Sequence, residues 1–84
     1  MLTISRDVTL TDVETGLVIL DGRRGRYWQL NSPGATALRM MLGGSSPQKA
    51  AAELASGTAV SGEQALDDVL ALVDALRKAK LVSA

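Results

Sequence analysis

The side chains of this chain that are able to do chemistry are few, and the missing ones narrow the field first. With no His and no Cys, an imidazole base, a thiol nucleophile, a Cys- or His-rich metal centre and a disulfide framework are all excluded. What remains is Ser beside Lys, or a pair of carboxylates. The serines Ser32, Ser45, Ser46 and Ser61 fall where turns and helix caps are expected, and no Gly-rich phosphate loop precedes a helix. The reading is a protein that binds rather than catalyses, needing no cofactor and no metal.

Three groups of residues have the chemistry of recognition. Tyr27 and Trp28 are the only aromatics, Arg23, Arg24 and Arg26 form a basic cluster just before them, and Asp67, Asp68 and Asp74 lie in the C-terminal third. Nine basic and nine acidic residues give a formal net charge of zero, which argues against a dominant nucleic-acid-binding role. A short basic run is most often a solvated surface, as is an isolated helical carboxylate.

The elements that must position these residues follow from periodicity and turn chemistry. From Leu2 to Val13 the apolar positions Leu2, Ile4, Val8 and Leu10 recur with the two-residue period of a half-buried strand. Gly16 opens the apolar run Leu17, Val18, Ile19 and Leu20, whose length and branching point to a second strand covered on both faces. Val18 and Leu20 are then core residues able to floor a pocket. Asp21-Gly22-Arg23-Arg24-Gly25 carries two glycines suited to positive φ, so a hairpin is expected, with a third strand over 26–30. Alternation there sends Tyr27 and Trp28 to opposite faces, one into the core and the other to an exposed or groove-lining position.

Helices follow the strands. Asn31 or Ser32 can cap a helix opening at Pro33 and running to Leu42, where Gly43-Gly44 ends it. Ser46-Pro47 repeats the pattern for a second helix over 47–55. After a break at Ser56-Gly57-Thr58-Ala59, Ser61 and Gln64 make a capping box for a third helix over 62–80. Its residues Ala65, Leu66, Val69, Leu72, Val73 and Leu76 share one wide arc that a surface helix buries.

Three antiparallel strands followed by three helices give an α+β domain with helices on one side, winged-helix-like in its parts, over residues 1–84 as a single unit. A three-stranded meander leaves two edges with unbonded backbone groups, which proteins either protect or use. The first ten residues, carrying Arg6 and Asp7, do not read as a signal peptide, and no apolar run approaches the ~20 residues that span a bilayer. A cytoplasmic protein with no membrane partner is the expectation, the Cys-free composition fitting a reducing cytosol as well as any other compartment.

The run Gly16-Leu17-Val18-Ile19-Leu20-Asp21, the segment Gly25-Arg26-Tyr27-Trp28-Gln29-Leu30-Asn31 leading into Pro33-Gly34, and Asp68-Val69 followed by Leu72, Val73, Leu76 and Leu81-Val82 together resemble one family. It is that of the PqqD-like domains called RiPP recognition elements, in particular the stand-alone ones of lasso peptide biosynthesis. The resemblance implies a non-catalytic domain that captures the leader of a ribosomally made precursor peptide and delivers it to the leader protease and a cyclase. It also implies that the leader, of a Tyr-x-x-Pro type, joins the sheet as an antiparallel strand beside strand 26–30 and lies against helix 62–80.

A site of that kind would draw on Val18, Leu20, Arg26, Tyr27, Trp28, Gln29 and Leu30 from the sheet, and on Asp68, Leu72, Ala75, Leu76 and Ala79 from the helix margin. Backbone bonding along a strand edge supplies affinity to an extended peptide, and pockets at alternate positions supply selectivity. The rival reading is a winged-helix DNA-binding domain. It is weakened by a second helix with only Lys49 as a basic residue and a third rich in Asp, so no nucleic-acid partner is expected. A dimerisation domain using the same sheet edge is the third alternative.

Overall fold

The structure, a computed structural model, describes residues 2–57 and 60–83. Its elements run β1 (Thr3–Ile4), β2 (Val8–Val13), β3 (Gly16–Asp21), β4 (Arg26–Asn31), α1 (Ser32–Leu42), α2 (Pro47–Ser56), α3 (Gly62–Lys78) and β5 (Val82–Ser83). The main sheet has the order β2-β3-β4, all antiparallel, as the succession of hairpins requires. Thr58 and Ala59, part of the expected break before the last helix, lie outside the described residues, as do Met1 and Ala84.

The expected first strand from Leu2 to Val13 is two strands. The chain turns at Asp7, which sits at φ 63°, and the Asp7 carbonyl accepts the Gly22 N–H at 2.9 Å. Beyond that turn β1 pairs not with the main sheet but with β5, Thr3 opposite Ser83 and Ile4 opposite Val82. The period of two survives the break because both pieces press apolar residues on one core: Leu2, Val8, Leu81 and Val82 are all buried.

Strand β3 is covered on one face only, contrary to the expectation from its apolar run. Leu17 and Ile19 are fully buried beneath the helices, whereas Leu20 is 48% exposed on the other face. Each fully buried Leu or Ile contributes about 1.5–3 kcal/mol of transfer free energy, so this side alone anchors the sheet. Gly16 starts the strand for a steric reason. Its φ is +154°, and a Cβ there would run into the backbone carbonyl oxygen of Leu30. The following hairpin uses one glycine as expected, Gly25 at φ 64°; Gly22 is not at positive φ.

Each helix starts on a side chain that accepts a backbone N–H. Asn31 Oδ1 accepts from Gly34 at 3.0 Å, Ser46 Oγ from Lys49 at 3.1 Å, and Ser61 Oγ from Gln64 at 3.1 Å. Each such cap is worth about 1 kcal/mol. Helix α3 buries Ala65, Val69, Val73 and Leu76 and half-buries Leu66 and Leu72, the arc its sequence marks out. It stops at Lys78, short of Lys80, because Lys80 takes a left-handed conformation, φ 62°. The N–H of Leu81 then reaches back to the Leu76 carbonyl at 2.9 Å, and the chain is redirected into β5.

Candidate peptide-binding groove

Strand β4 is an outer strand of the sheet, and no described strand pairs with its other side. Which of its groups face outward follows from the close approach at Gly16: the Leu30 carbonyl lies against that glycine, so it points toward β3. In an antiparallel ladder the N–H and C=O of one residue point the same way, and successive residues alternate. Arg26, Trp28 and Leu30 therefore bond inward. The N–H and C=O groups of Tyr27 and Gln29 face the open edge.

Beside the strand, at the N-terminal half of α3, a pocket of about 470 Å³ opens. Strand β4 contributes Gln29, Leu30 and Asn31, α1 contributes Pro33, Gly34 and Ala37, and α2 contributes Leu54. Ala65, Asp68, Val69 and Leu72 of α3, with Val60 before it, complete the lining. The surface is mainly apolar and the small residues leave it roomy, the general character of a site for a hydrophobic side chain. Among the described residues Asp68 is its only ionisable group. Gln64 Nε2 donates to Asp68 Oδ1 at 2.9 Å, so the expected capping box is half made: Gln64 turns its side chain toward the pocket rather than back to Ser61.

The far end of the strand is tied to the far end of the helix. Arg26 Nη2 donates to the Ala79 carbonyl at 3.2 Å and to Asp21 Oδ2 at 3.4 Å. Its guanidinium stands 5.8 Å from the centre of the Trp28 ring, within range of a cation–π attraction of about 0.5–1 kcal/mol at an exposed site. Asp21 is fully buried yet fully satisfied. Its Oδ1 accepts the N–H groups of Arg23 and Arg24, and its Oδ2 accepts Arg24 Nη1 at 3.3 Å. Burial pushes this carboxyl up, but bonds from the Arg24 side chain, the Arg24 N–H, the Arg26 side chain and the Arg23 N–H outweigh it and hold it below its ordinary value.

The residues expected to bind divide by face. Gln29, Leu30, Asp68 and Leu72 come together in the pocket. Register puts Arg26 and Trp28 opposite Asp21 and Ile19, on the helix side of the sheet, and Ala75 and Ala79 are exposed and half-buried along α3. Leu76 is 2% exposed and belongs to the core, not to a groove wall. Val18 and Leu20 neither lie in the core nor floor the pocket. Strand alternation places them on the outer face with Tyr27, which is 72% exposed. The expectation that one aromatic is buried also fails, since Trp28 is 36% exposed on the helix side.

Several lining residues were not among those expected to bind: Asn31, Pro33, Gly34, Ala37, Leu54, Val60, Ala65 and Val69, of which Ala65 and Val69 were read only as part of the buried arc of the last helix. Pro33 and Gly34 carried a signal, but it was absorbed by their role in starting α1. Among the described residues no group of His, Cys, Asp and Glu is placed to hold a metal ion, and no helix is long and apolar enough to cross a membrane.

Comparison with known proteins agrees with this fold. A solved structure described as lasso peptide synthetase B1 complexed with the leader peptide superimposes with a TM-score of 0.91, at 32% identity over 99% of this chain and 98% of that one. A second, TbiB1 in complex with the TbiA(beta) leader peptide, shares the fold with a TM-score of 0.84, at 20% identity over 96% of this chain and 94% of that one. No curated protein matches the chain. The family described as coenzyme PQQ synthesis protein D (PqqD) matches residues 16–82, a stretch that holds the hairpin, the pocket and all three helices, and the chain belongs to that PqqD family as a PqqD-like recognition element.

Proposed function

We propose that this protein binds the leader segment of a ribosomally synthesised lasso precursor peptide as an added strand on β4 and presents it to the enzymes that cut and cyclise the precursor. The observation that carries the reading is the juxtaposition of an open strand edge with an apolar pocket beside it. Outward N–H and C=O groups at Tyr27 and Gln29 hold the peptide backbone, and the pocket between Leu30 and Leu72 takes a bulky side chain. The leader-bound state of the 32% identical lasso peptide synthetase B1 supports the same reading. Leu72, Ala75 and Ala79 form the opposite wall, Asp68 stands at its head, and Arg26 closes its foot. Delivery to a leader protease and a cyclase is the part of this proposal that rests on the family resemblance alone.

The test is fluorescence anisotropy with a labelled leader from a precursor gene adjoining this one. A one-to-one complex tighter than about 100 μM, roughly −5.5 kcal/mol, is expected. If no leader with a Tyr-x-x-Pro pair binds at that level, the reading is wrong.

A further inference from the structure

The two ends of the groove carry opposite charge, and this has a consequence for what binds there. At the pocket end the sole ionisable group among the described lining residues is Asp68, with one carboxylate oxygen held by Gln64. At the hairpin end the side chains of Arg24 and Arg26 share a single buried carboxylate, Asp21, and Arg23 gives it only its backbone N–H. Neighbouring Arg6 and Asp7 cancel in formal charge, and Lys80 adds one more positive group just past Ala79. The dipole of α3 runs the other way, but Glu63 in its first turn and the Arg26 bond to Ala79 offset it. Against Asp21 and Asp7, the hairpin end keeps a net excess of positive charge.

Resting on the groove reading above, we infer that the groove selects an extended peptide with acidic residues on the C-terminal side of its pocket-filling residue, answered by the hairpin arginines. Every strand pair in this sheet is antiparallel, and antiparallel pairing is the slightly more stable kind. A strand added to β4 in that sense runs from the Leu30 end to the Arg26 end. Its residue beside the pocket stands opposite Leu30, and the residue roughly four positions later stands opposite Arg26 at ~3.4 Å per residue. Residues roughly four to seven positions beyond the pocket therefore pass the arginine cluster. Carboxylates there meet a cluster of three arginines that has one carboxylate, Asp21, bonded to two of their side chains, whereas lysines meet repulsion. The charge gradient also fixes direction, because the reversed peptide would bring its acids to Asp68.

Three synthetic fluorescein-labelled peptides test this, identical in a Tyr-x-x-Pro pair and carrying two Glu, two Gln or two Lys in that downstream window. At low salt we expect affinity to fall in the order Glu, Gln, Lys, with about tenfold between the extremes, the modest size of exposed ion pairs. The spread should close in ~0.5 M salt as screening shortens the range of the field. Arg23→Glu is the variant of choice, since Asp21 uses only the backbone N–H of Arg23, and it should abolish or invert the preference. Binding of all three peptides within twofold, or a preference unchanged in Arg23→Glu, overturns the charge inference and leaves the groove reading intact. Failure of all three to bind overturns both.

Discussion

The guanidinium of Arg26, at the start of β4, donates to the carbonyl oxygen of Ala79, 53 residues on at the end of α3, at 3.2 Å. That bond spans the mouth of the groove at one end, and the same Nη2 reaches the buried Asp21. The gap proposed to take a peptide strand is thus bridged at this end by one side chain. Replacing Arg26 with Ala should lower the urea midpoint by the equivalent of about 1 kcal/mol, less than the 1.5–3 of a buried charged hydrogen bond because the group is part-exposed. Lysine should restore less than half of it, having a point charge in place of a fork that serves two acceptors and stacks on Trp28. Peptide affinity should fall in both variants more than stability does.

Asp21 makes stability depend on pH with a definite sign. Its folded-state pKa lies below the ordinary carboxylate value, so the folded state holds the charged form more tightly than the unfolded chain does. The contribution is complete above the unfolded value of about 4 and is lost as pH falls through the lower folded value. Urea midpoints should be level above about pH 5 and drop below about pH 4. Asp21→Asn should start lower and show a shallower acid decline. An unchanged decline would place the acid sensitivity in other carboxylates.

The local parts of this fold were legible because their causes are local. Asn31, Ser46 and Ser61 cap helices by reaching three residues along the chain, and the arc of α3 needs only one periodicity. The β1–β5 pair was not, since two residues at each terminus carry no period and meet only when the domain closes. The run Leu17–Leu20 misled for a related reason: apolar side chains in succession look doubly buried, and only the placement of all helices on one side leaves Leu20 open. Of the groove, the strand and the margin at Asp68 and Leu72 could be read. The walls from α1 and α2 could not, because Ala37 and Leu54 acquire a role only through packing.

The alternation of β4 separates two proline substitutions that look alike in sequence. Gln29→Pro removes an outward N–H and spares the ladder to β3, while Trp28→Pro removes an inward one. Gln29→Pro should fold, with a modest loss of stability, and lose peptide affinity at least tenfold. Trp28→Pro should lose ~3 kcal/mol of stability or fail to fold. Arg23→Ala, touching neither ladder, should cost affinity about threefold at most. Equal affinities for Gln29→Pro and the parent protein would rule out strand addition at this edge.

Filling the pocket should separate binding from stability more cleanly than emptying it. Leu72→Ala removes half-buried surface and so lowers both together; a change that adds apolar volume separates them. Ala65 lines the pocket and is 3% exposed, and a Leu there can extend into the open volume rather than into packed core. Burying the added methylene groups favours the folded state at ~0.8 kcal/mol each, against 1–3 kcal/mol if the neighbours must shift. The urea midpoint of Ala65→Leu should therefore stay within about 1 kcal/mol of the parent's. Affinity for the Tyr-x-x-Pro peptide should fall more than tenfold, since its anchor and the new side chain compete for the same space. A variant that is equally stable and binds equally well would mean that the peptide's anchor does not enter this pocket.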